Sequence, residues 1–344
     1  MGYNFDIQVA HSVTDVSPQA WNFLSQGRPF ATYRWYQYGE AVLTNETPLY
    51  IILSHDSQPV ARATFWLTRD EPLPLPDNLA RSFMEAAFNR WPLLLCRTPM
   101  ASHSGLILPQ EEGLRAAALD SICAIAHDFA SRHGVSFVLF DYLADGDIRL
   151  PGYAGTDMLD AGTYLPIRWS SFEEYVAQMS RSARKDYHRH CNRADDLNIT
   201  VNIRADAPDL DQAVRLIQNV ERQHNTRPNP RTRRALEKAG IAGATWLTAD
   251  IDGHMVGCGM LLGDGDHRAL AFLGLDYDVK YVYFQMLYAA VRCAIETGAR
   301  VLHGGSGAYE IKERLGFQPE RNNYVAFRAH NRILGQVVQH LIAS

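Results

Sequence analysis

TWLTADIDGHMVGCGMLL, residues 245–262, reads as two strands joined by Asp252-Gly253. Asp-Gly between alternating apolar residues is a strong signal for a two-residue hairpin, because both turn positions take positive φ. Downstream, Phe284, Leu287, Tyr288, Val291 and Ile295 recur at the spacing of one helix face. Gly298 follows as the left-handed residue that ends a helix, and ARVLH (299–303) reads as a strand. Hairpin, helix, glycine, strand is one α/β unit.

The same order occurs earlier in the chain. LYIILSH (49–55) and PVARATFWL (59–67) flank Asp56-Ser57-Gln58. Ala118, Ile122, Ile125 and Phe129 lie at helical spacing, Gly134 ends that helix, and VSFVLF (135–140) follows. The first copy is longer between hairpin and helix by about 30 residues, a loop-sized insertion, with the proline-rich EPLPLPDNLA (71–80) as its centre. The boundary between copies falls near 160–175. RWSSFEEYVAQM (168–179) begins a new helix there, capped by Ser170 or Ser171 with Glu173 and Glu174 in its first turn. NRILGQVVQHLIA (331–343) reads as a last apolar helix.

Composition sets outer limits. A chain of 344 residues fits about two domains of roughly 100–200 residues each. It is 47% hydrophobic and 21% charged, with a formal net charge of -5. The whole-molecule field therefore announces no polyanion partner, and any such site must be local. Cys96, Cys123, Cys191, Cys258 and Cys293 are scattered and odd in number, against a disulfide framework or structural zinc. Met1 to Val9 shows no basic-then-apolar signal pattern, and no stretch reaches the ~18 apolar residues of a membrane span. The expectation is a cytoplasmic enzyme without a metal.

Two segments carry the chemistry. In MSRSARKDYHRHCNRADDLNITVNI (179–203), Arg181, Arg184, Lys185 and His188 share one helix face. Five basic residues and one acid lie between Arg181 and Arg193. A second basic cluster comprises Arg222, Arg227, Arg231, Arg233, Arg234 and Lys238. Such faces either hold phosphates or are simply solvated. The other segment is HGGSGAYEIKERLGF (303–317). Gly304, Gly305, Ser306 and Gly307 follow a strand and precede a helix beginning near Tyr309. A loop of this kind can turn backbone N–H groups toward an anion or oxyanion. Lys312 sits one turn beyond it, placed to stabilise charge on a reacting carbonyl oxygen.

The order of SHSGLIL (102–108), WSSFEEYVAQMSRSARKDYHRH (169–190) and FLGLDYDVKYVYFQMLYAAVRCAIETGARVLHGGSGAYEIKERLGF (272–317) resembles the Fem-type branch of the GNAT superfamily, the peptidoglycan-bridge aminoacyltransferases. The likeness spans roughly residues 20–330 and is specific as an order of patterns. It implies an α/β chain of two tandem GNAT-like domains, 1–165 and 166–344, each a mixed, mostly antiparallel sheet flanked by helices. It implies a substrate groove between or beside the domains. The family lysine matches Lys312, near the donor's reactive end. The basic helix matches Arg181, Arg184 and Lys185, facing phosphates. The Tyr-rich entry matches Tyr277, Tyr281 and Tyr283.

Users of acetyl-CoA in this superfamily carry a [RQ]xxGx[GA] loop where this chain has LDYDVKYVYFQ (275–285), which contains no glycine. That loss is shared with Fem-type enzymes. The resemblance therefore implies an aminoacyl-tRNA as co-substrate, no tightly bound cofactor, and transfer of the aminoacyl group to the amine of a small acceptor. The long helical arm frequent in bridge enzymes is missing from the second domain. For the general base that the attacking amine needs, Glu221 and His224 on a predicted helix (209–224) and His103 in SHSGLIL are the polar residues available. Two rival readings keep the fold. One takes acyl-CoA or a carrier-protein thioester as donor; the other is a catalytically silent pair that binds RNA or protein.

Overall fold

The structure, a computed structural model, describes residues 3–69, 71, 86, 89–144, 150–157 and 160–330. The proline-rich stretch 72–80 and the expected last helix at 331–343 lie outside the described residues. The chain divides into two compact units. One comprises Met1–Leu159 with Arg321–Ser344, the other Asp160–Glu320. The sequence expectation was a cut at 165/166 with everything beyond it in the second domain. Here the cut falls six residues earlier, and the chain from Arg321 returns to the first unit.

In the first unit, β1 (Asp6–Ala10), β2 (Thr47–His55), β3 (Gln58–Thr68), β4 (Leu93–Cys96), β6 (Phe137–Leu143), β15 (Tyr324–Ala329) and β7 (Ala154–Asp157) form one sheet in that order, with β5 (Leu106–Ile107) paired to β3. Among the described residues only β4 and β6 run parallel, from Leu93↔Phe137 to Cys96↔Phe140. The β2–β3 turn has Asp56 and Ser57 at φ 49° and 62°, the positive pair that a two-residue hairpin needs. The helices of this unit are α1 (Pro18–Leu24), α2 (Tyr33–Val42) and α3 (Glu112–His133). On α3, Ala118, Ile122, Ala126 and Phe129 enter a core with Ile51, Phe65 and Phe140, and Gly134 at φ 63° ends the helix. Burial of each large side chain of this kind contributes about 1.5–3 kcal/mol.

The second unit repeats the plan. Its sheet runs β14 (Gln318–Pro319), β8 (Thr163–Pro166), β13 (Val301–His303), β12 (His267–Leu275), β11 (His254–Asp264), β10 (Thr245–Ile251) and β9 (Thr200–Arg204). Again one pair alone is parallel, β12 with β13. Asp252 and Gly253 make the β10–β11 turn at φ 49° and 79°. The helices are α4 (Phe172–Gln178), α5 (Arg181–Asp196), α6 (Leu210–Gln223), α7 (Thr232–Lys238), α8 (Val282–Glu296) and α9 (Tyr309–Arg314).

Ser171 caps α4 by accepting from Glu174 N, and Glu174 Oε2 accepts from Ser170 N at 2.8 Å, a reciprocal cap. Met286, Leu287, Val291 and Ile295 bury α8 against the sheet. Two glycines let helices approach it closely. A Cβ on Gly257 would lie 2.4 Å from Val282 Cγ1 of α8, and one on Gly274 would lie 2.6 Å from the backbone nitrogen of Ile217 in α6. The order of elements and the two mixed sheets flanked by helices are those of a tandem GNAT chain.

Candidate active site

In the second unit the parallel ladder of β12 and β13 closes at Ala269↔His303. Beyond it β12 carries on along β11 with a bulge, where Phe272 adopts φ 54°, while β13 gives way to the glycine loop. The loop is tied down on both flanks. Gly304 N donates to Thr163 O at 2.7 Å, and Thr163 Oγ1 donates to Gly305 O at 2.7 Å. From the other side the Lys312 ammonium donates to the carbonyls of Gly304, Gly305 and Ser306 at 2.8, 3.1 and 3.0 Å. An ammonium has three donors, and all three are engaged. Lys312 is 4% exposed, and burial pulls its pKa down to about 8, so the charged form still prevails at neutral pH.

This explains the K..lGF pattern physically. Lys312 gathers the carbonyls, Gly316 at φ 90° reverses the chain, and Phe317 packs on Gly304, where a Cβ would lie 2.8 Å from the ring. Gly305 and Gly307 hold φ 67° and 78°. With the carbonyls turned to the lysine, the N–H groups of Gly305, Ser306 and Gly307 have no protein acceptor among the described residues. Tyr309 closes the loop by donating to Ala161 O at 2.8 Å.

At the entry to α8, Asp278 N donates to the Asp276 carboxylate at 3.0 Å. Tyr281 is the N-cap, at φ 72° and without a side-chain cap. Asp276 and Asp278 thus precede the helix, with Lys280 directly before the cap and no acidic residue in the first turn. Tyr277 is exposed, whereas Tyr283 is half-buried and its phenol is pushed up to about 12 by burial and by Tyr277.

On α5, Arg181, Lys185 and His188 are exposed, and Arg181 and Lys185 have no acidic partner among the described residues. Arg184 is turned back to donate to Ala177 O at 2.7 Å. Asp186 neutralises part of the face by pairing with Arg189 at 2.8 Å and Arg314 at 3.5 Å. The second basic cluster is more compensated, since Arg233 pairs with Asp211 and Glu237.

Glu221 accepts from Asn229 N at 3.0 Å through one oxygen; its other oxygen is buried without a hydrogen bond. Burial raises its pKa. His224, the C-cap of α6, is exposed. The structure therefore joins Lys312, Gly304, Gly305 and Ser306 directly. No hydrogen bond links Glu221, His224, Tyr277, Tyr281, Tyr283 or the α5 cations to that loop.

His103 belongs to the first unit. It lines a cavity of about 210 Å³ with Arg28, Ser104, Tyr142 and Asn322, just past the point where the β4·β6 ladder ends. Arg28 has no acidic partner among the described residues; its side chain is exposed to solvent, and partial desolvation at the cavity wall lowers its pKa. Sequence reasoning passed over Arg28, and also Thr163, His267, His303 and Glu320. Histidine at a strand end directly before a glycine loop is a usable signal for His303. Glu320 gives none, because only the β14·β8 pairing brings it near.

Residues 12–344 match the model of a family described as FemAB-like, peptidoglycan biosynthesis/recognition. The chain belongs to this family. No curated protein matches it. Among solved structures it is similar to FemX at a TM-score of 0.65 and 11% identity, covering 96% of this chain and 99% of that one. It is also similar to L-PGS from Bacillus licheniformis, at 0.55 and 10% identity over 94% and 95% of the two chains. A tandem GNAT protein from the clavulanic acid biosynthesis pathway matches at 0.53 and 12% identity over 95% and 99%. At these identities the structures speak for the fold, and the family membership makes this FemAB-like chain an acyltransferase.

Proposed function

We propose that this FemAB-like protein moves an aminoacyl group from an aminoacyl-tRNA ester to the amine of a small acceptor. The observation that carries the donor assignment is the charge pattern of the second unit. At the start of α8, where a CoA-binding loop would present bare backbone, the chain places Asp276 and Asp278 and no glycine. Two carboxylates against the one cation of Lys280, and the missing glycines, disfavour a pyrophosphate. Arg181 and Lys185 on α5 instead offer cations to a phosphate backbone. The N–H groups of Gly305, Ser306 and Gly307 supply the oxyanion donors, and Lys312 holds the loop in the shape that frees them. Glu221, with a raised pKa, and His224 remain the amine-deprotonating groups of the reading, and Tyr277, Tyr281 and Tyr283 line the groove.

In the first unit, the cavity with Arg28 and His103 fits an acceptor that carries an anionic group. A peptidoglycan precursor has that chemistry, and charged tRNA is met in the cytoplasm. The test is binding of the purified protein to bulk charged tRNA, with acetyl-CoA in parallel at near-physiological salt, followed by transfer of labelled amino acids to a panel of amines. Salt-sensitive tRNA binding without a CoA effect supports the reading. CoA binding without tRNA binding overturns the donor assignment and directs the search to thioesters.

A further inference from the structure

Four side chains at the foot of the glycine loop stand in a row, none of them used so far. The Glu320 carboxylate lies 2.7 Å from His303 Nδ1, His303 Nε2 lies 3.0 Å from His267 Nδ1, and His267 Nε2 lies 3.5 Å from the Asp266 carboxylate. Strand register produces the row. His267 opens β12 and His303 closes β13, two rungs apart on the same sheet face, while β14 brings Glu320 beside β8. The two ends differ in exposure. The Asp266 side chain is 46% exposed and that of Glu320 only 9%. Glu320 Oε2 sits over Gly162, whose neighbour Thr163 holds Gly304 and Gly305.

We propose that Glu320, His303, His267 and Asp266 form a proton relay leading from the glycine loop to solvent, an inference that rests on the acyl-transfer reading above. The reaction requires such an exit. An ammonium acceptor R–NH3+ and an ester R′–CO–OR″ give the amide R′–CO–NH–R, the alcohol R″–OH and one proton. The C–N bond forms and the C–O bond breaks. Nitrogen gives up two protons, one to the leaving oxygen and one that Glu320, in place of Glu221 or His224, takes from it and that must then leave the site.

With that proton on Glu320, each imidazole carries its own proton on Nε2. Three hops then clear it: Glu320 to His303 Nδ1, His303 Nε2 to His267 Nδ1, and His267 Nε2 to Asp266. Both rings end protonated on Nδ1, the resting form that a carboxylate at His303 Nδ1 demands, and each must exchange back to the Nε2–H tautomer before the next proton passes. The first two pairs stand at hydrogen-bond distance in the order these hops need, and His267 Nε2 lies 3.5 Å from the Asp266 carboxylate. Neutral rings are also required, and burial together with His303 lowers the His267 pKa to about 4. The charges acting on the row include Asp266, Arg300 and Arg268 around His267, and Glu320 at His303. Tyr164 pairs with His303 across β8 and donates its hydroxyl to Gln318.

The test uses the full chain with charged tRNA and the acceptor found by the transfer panel. Glu320→Gln lowers turnover by ~10²-fold, leaves half-saturation by tRNA within about twofold, and removes the acidic limb of the pH–rate profile. His267→Gln, which leaves Glu320 in place, lowers turnover in a way that added imidazole buffer restores; it also serves if the Glu320 variant does not fold. Unchanged turnover and pH profile in a folded variant overturn the relay while the transfer reading stands. Should the wild type transfer nothing, the reading falls and 15N-histidine spectra of the unliganded protein decide the relay. His267 and His303 both protonated on Nδ1, and shifted together by Glu320→Gln, support it. Rings that titrate independently overturn it.

Discussion

Replacing Lys312 by Met keeps the buried aliphatic stem and deletes the ammonium. Three carbonyls, those of Gly304, Gly305 and Ser306, then lose their common donor. A hydrogen bond to a charged group is worth about 1.5–3 kcal/mol where water cannot replace it. Gly305 and Ser306 are exposed, so water takes over two of the three. The substitution also relieves the cost of burying the ammonium, the cost that lowers its pKa from 10.5 to about 8. The net stability change is therefore small, about 1 kcal/mol in either direction.

The loop's shape is another matter. Once the carbonyls are free to turn, the N–H groups of 305–307 no longer hold a fixed direction. Losing one aimed oxyanion donor costs about 2.7–4 kcal/mol in the transition state, or 10²–10³ in rate. The expected result is kcat down by ~10²-fold with tRNA half-saturation unchanged, measured beside urea unfolding. Lys312→Arg does not rescue, because a planar fork cannot serve three carbonyls gathered round one point.

The pH dependence of stability carries a further sign. The folded-state pKa lies below the unfolded one, so the unfolded chain binds more protons between pH about 8 and 10.5. Wild type gains stability as pH rises through that window, and the Met variant lacks this component. A Lys312→Met protein with turnover within twofold of wild type refutes the clamp.

Arg181→Ala with Lys185→Ala should flatten the salt dependence of donor binding by about two units of slope, one per lost phosphate contact; an unchanged slope makes α5 a solvated face. Gly257→Ala forces a methyl against Val282 and should cost about 1–3 kcal/mol in urea unfolding, with no such loss if α8 can shift. Arg28→Ala should raise KM for an anionic acceptor about tenfold or more while leaving tRNA binding unchanged, and an unchanged KM removes Arg28 from the acceptor site. In the first unit, burial outweighs Arg97 at 3.8 Å and raises the Asp141 pKa to about 6. The folded state then holds the extra proton, so this group's stabilisation is fully present below pH about 4 and is lost as pH rises to about 6. The difference between Asp141→Asn and wild type in unfolding free energy should vary over that window and be flat above it.

The fold could be read because its signals were local. Asp252-Gly253, Gly134, Gly298 and the Ser171 cap each impose a backbone state on their own neighbours, and the apolar spacing of α3 and α8 needs no knowledge of partners. The return strand β15 was missed because YVAFRA is short and its partners β6 and β7 lie far back in the chain. At the site, the glycine loop and Lys312 were visible, but the direction of the ammonium was not. Whether a lysine points outward to a substrate or inward to carbonyls depends on where Phe317 and Thr163 pack. Arg184 illustrates the same limit: helix spacing puts it with Lys185, yet its guanidinium turns back to Ala177. The histidine–carboxylate row depends on the register of β12, β13 and β14, which no single segment encodes.

The position of β15 between β6 and β7 has a consequence for the order of assembly during synthesis. The first unit's sheet cannot close until residue 329 has left the ribosome, long after its other strands have emerged. The second unit is continuous from Asp160 to Glu320 and has every strand of its sheet by Pro319. The part of the protein made later therefore completes first, while β6 and β7 wait with open edges for the end of the chain. Cutting the gene at residue 320 would yield a whole second unit and a first unit whose edge strand β7 has lost the neighbour that joins it to the sheet.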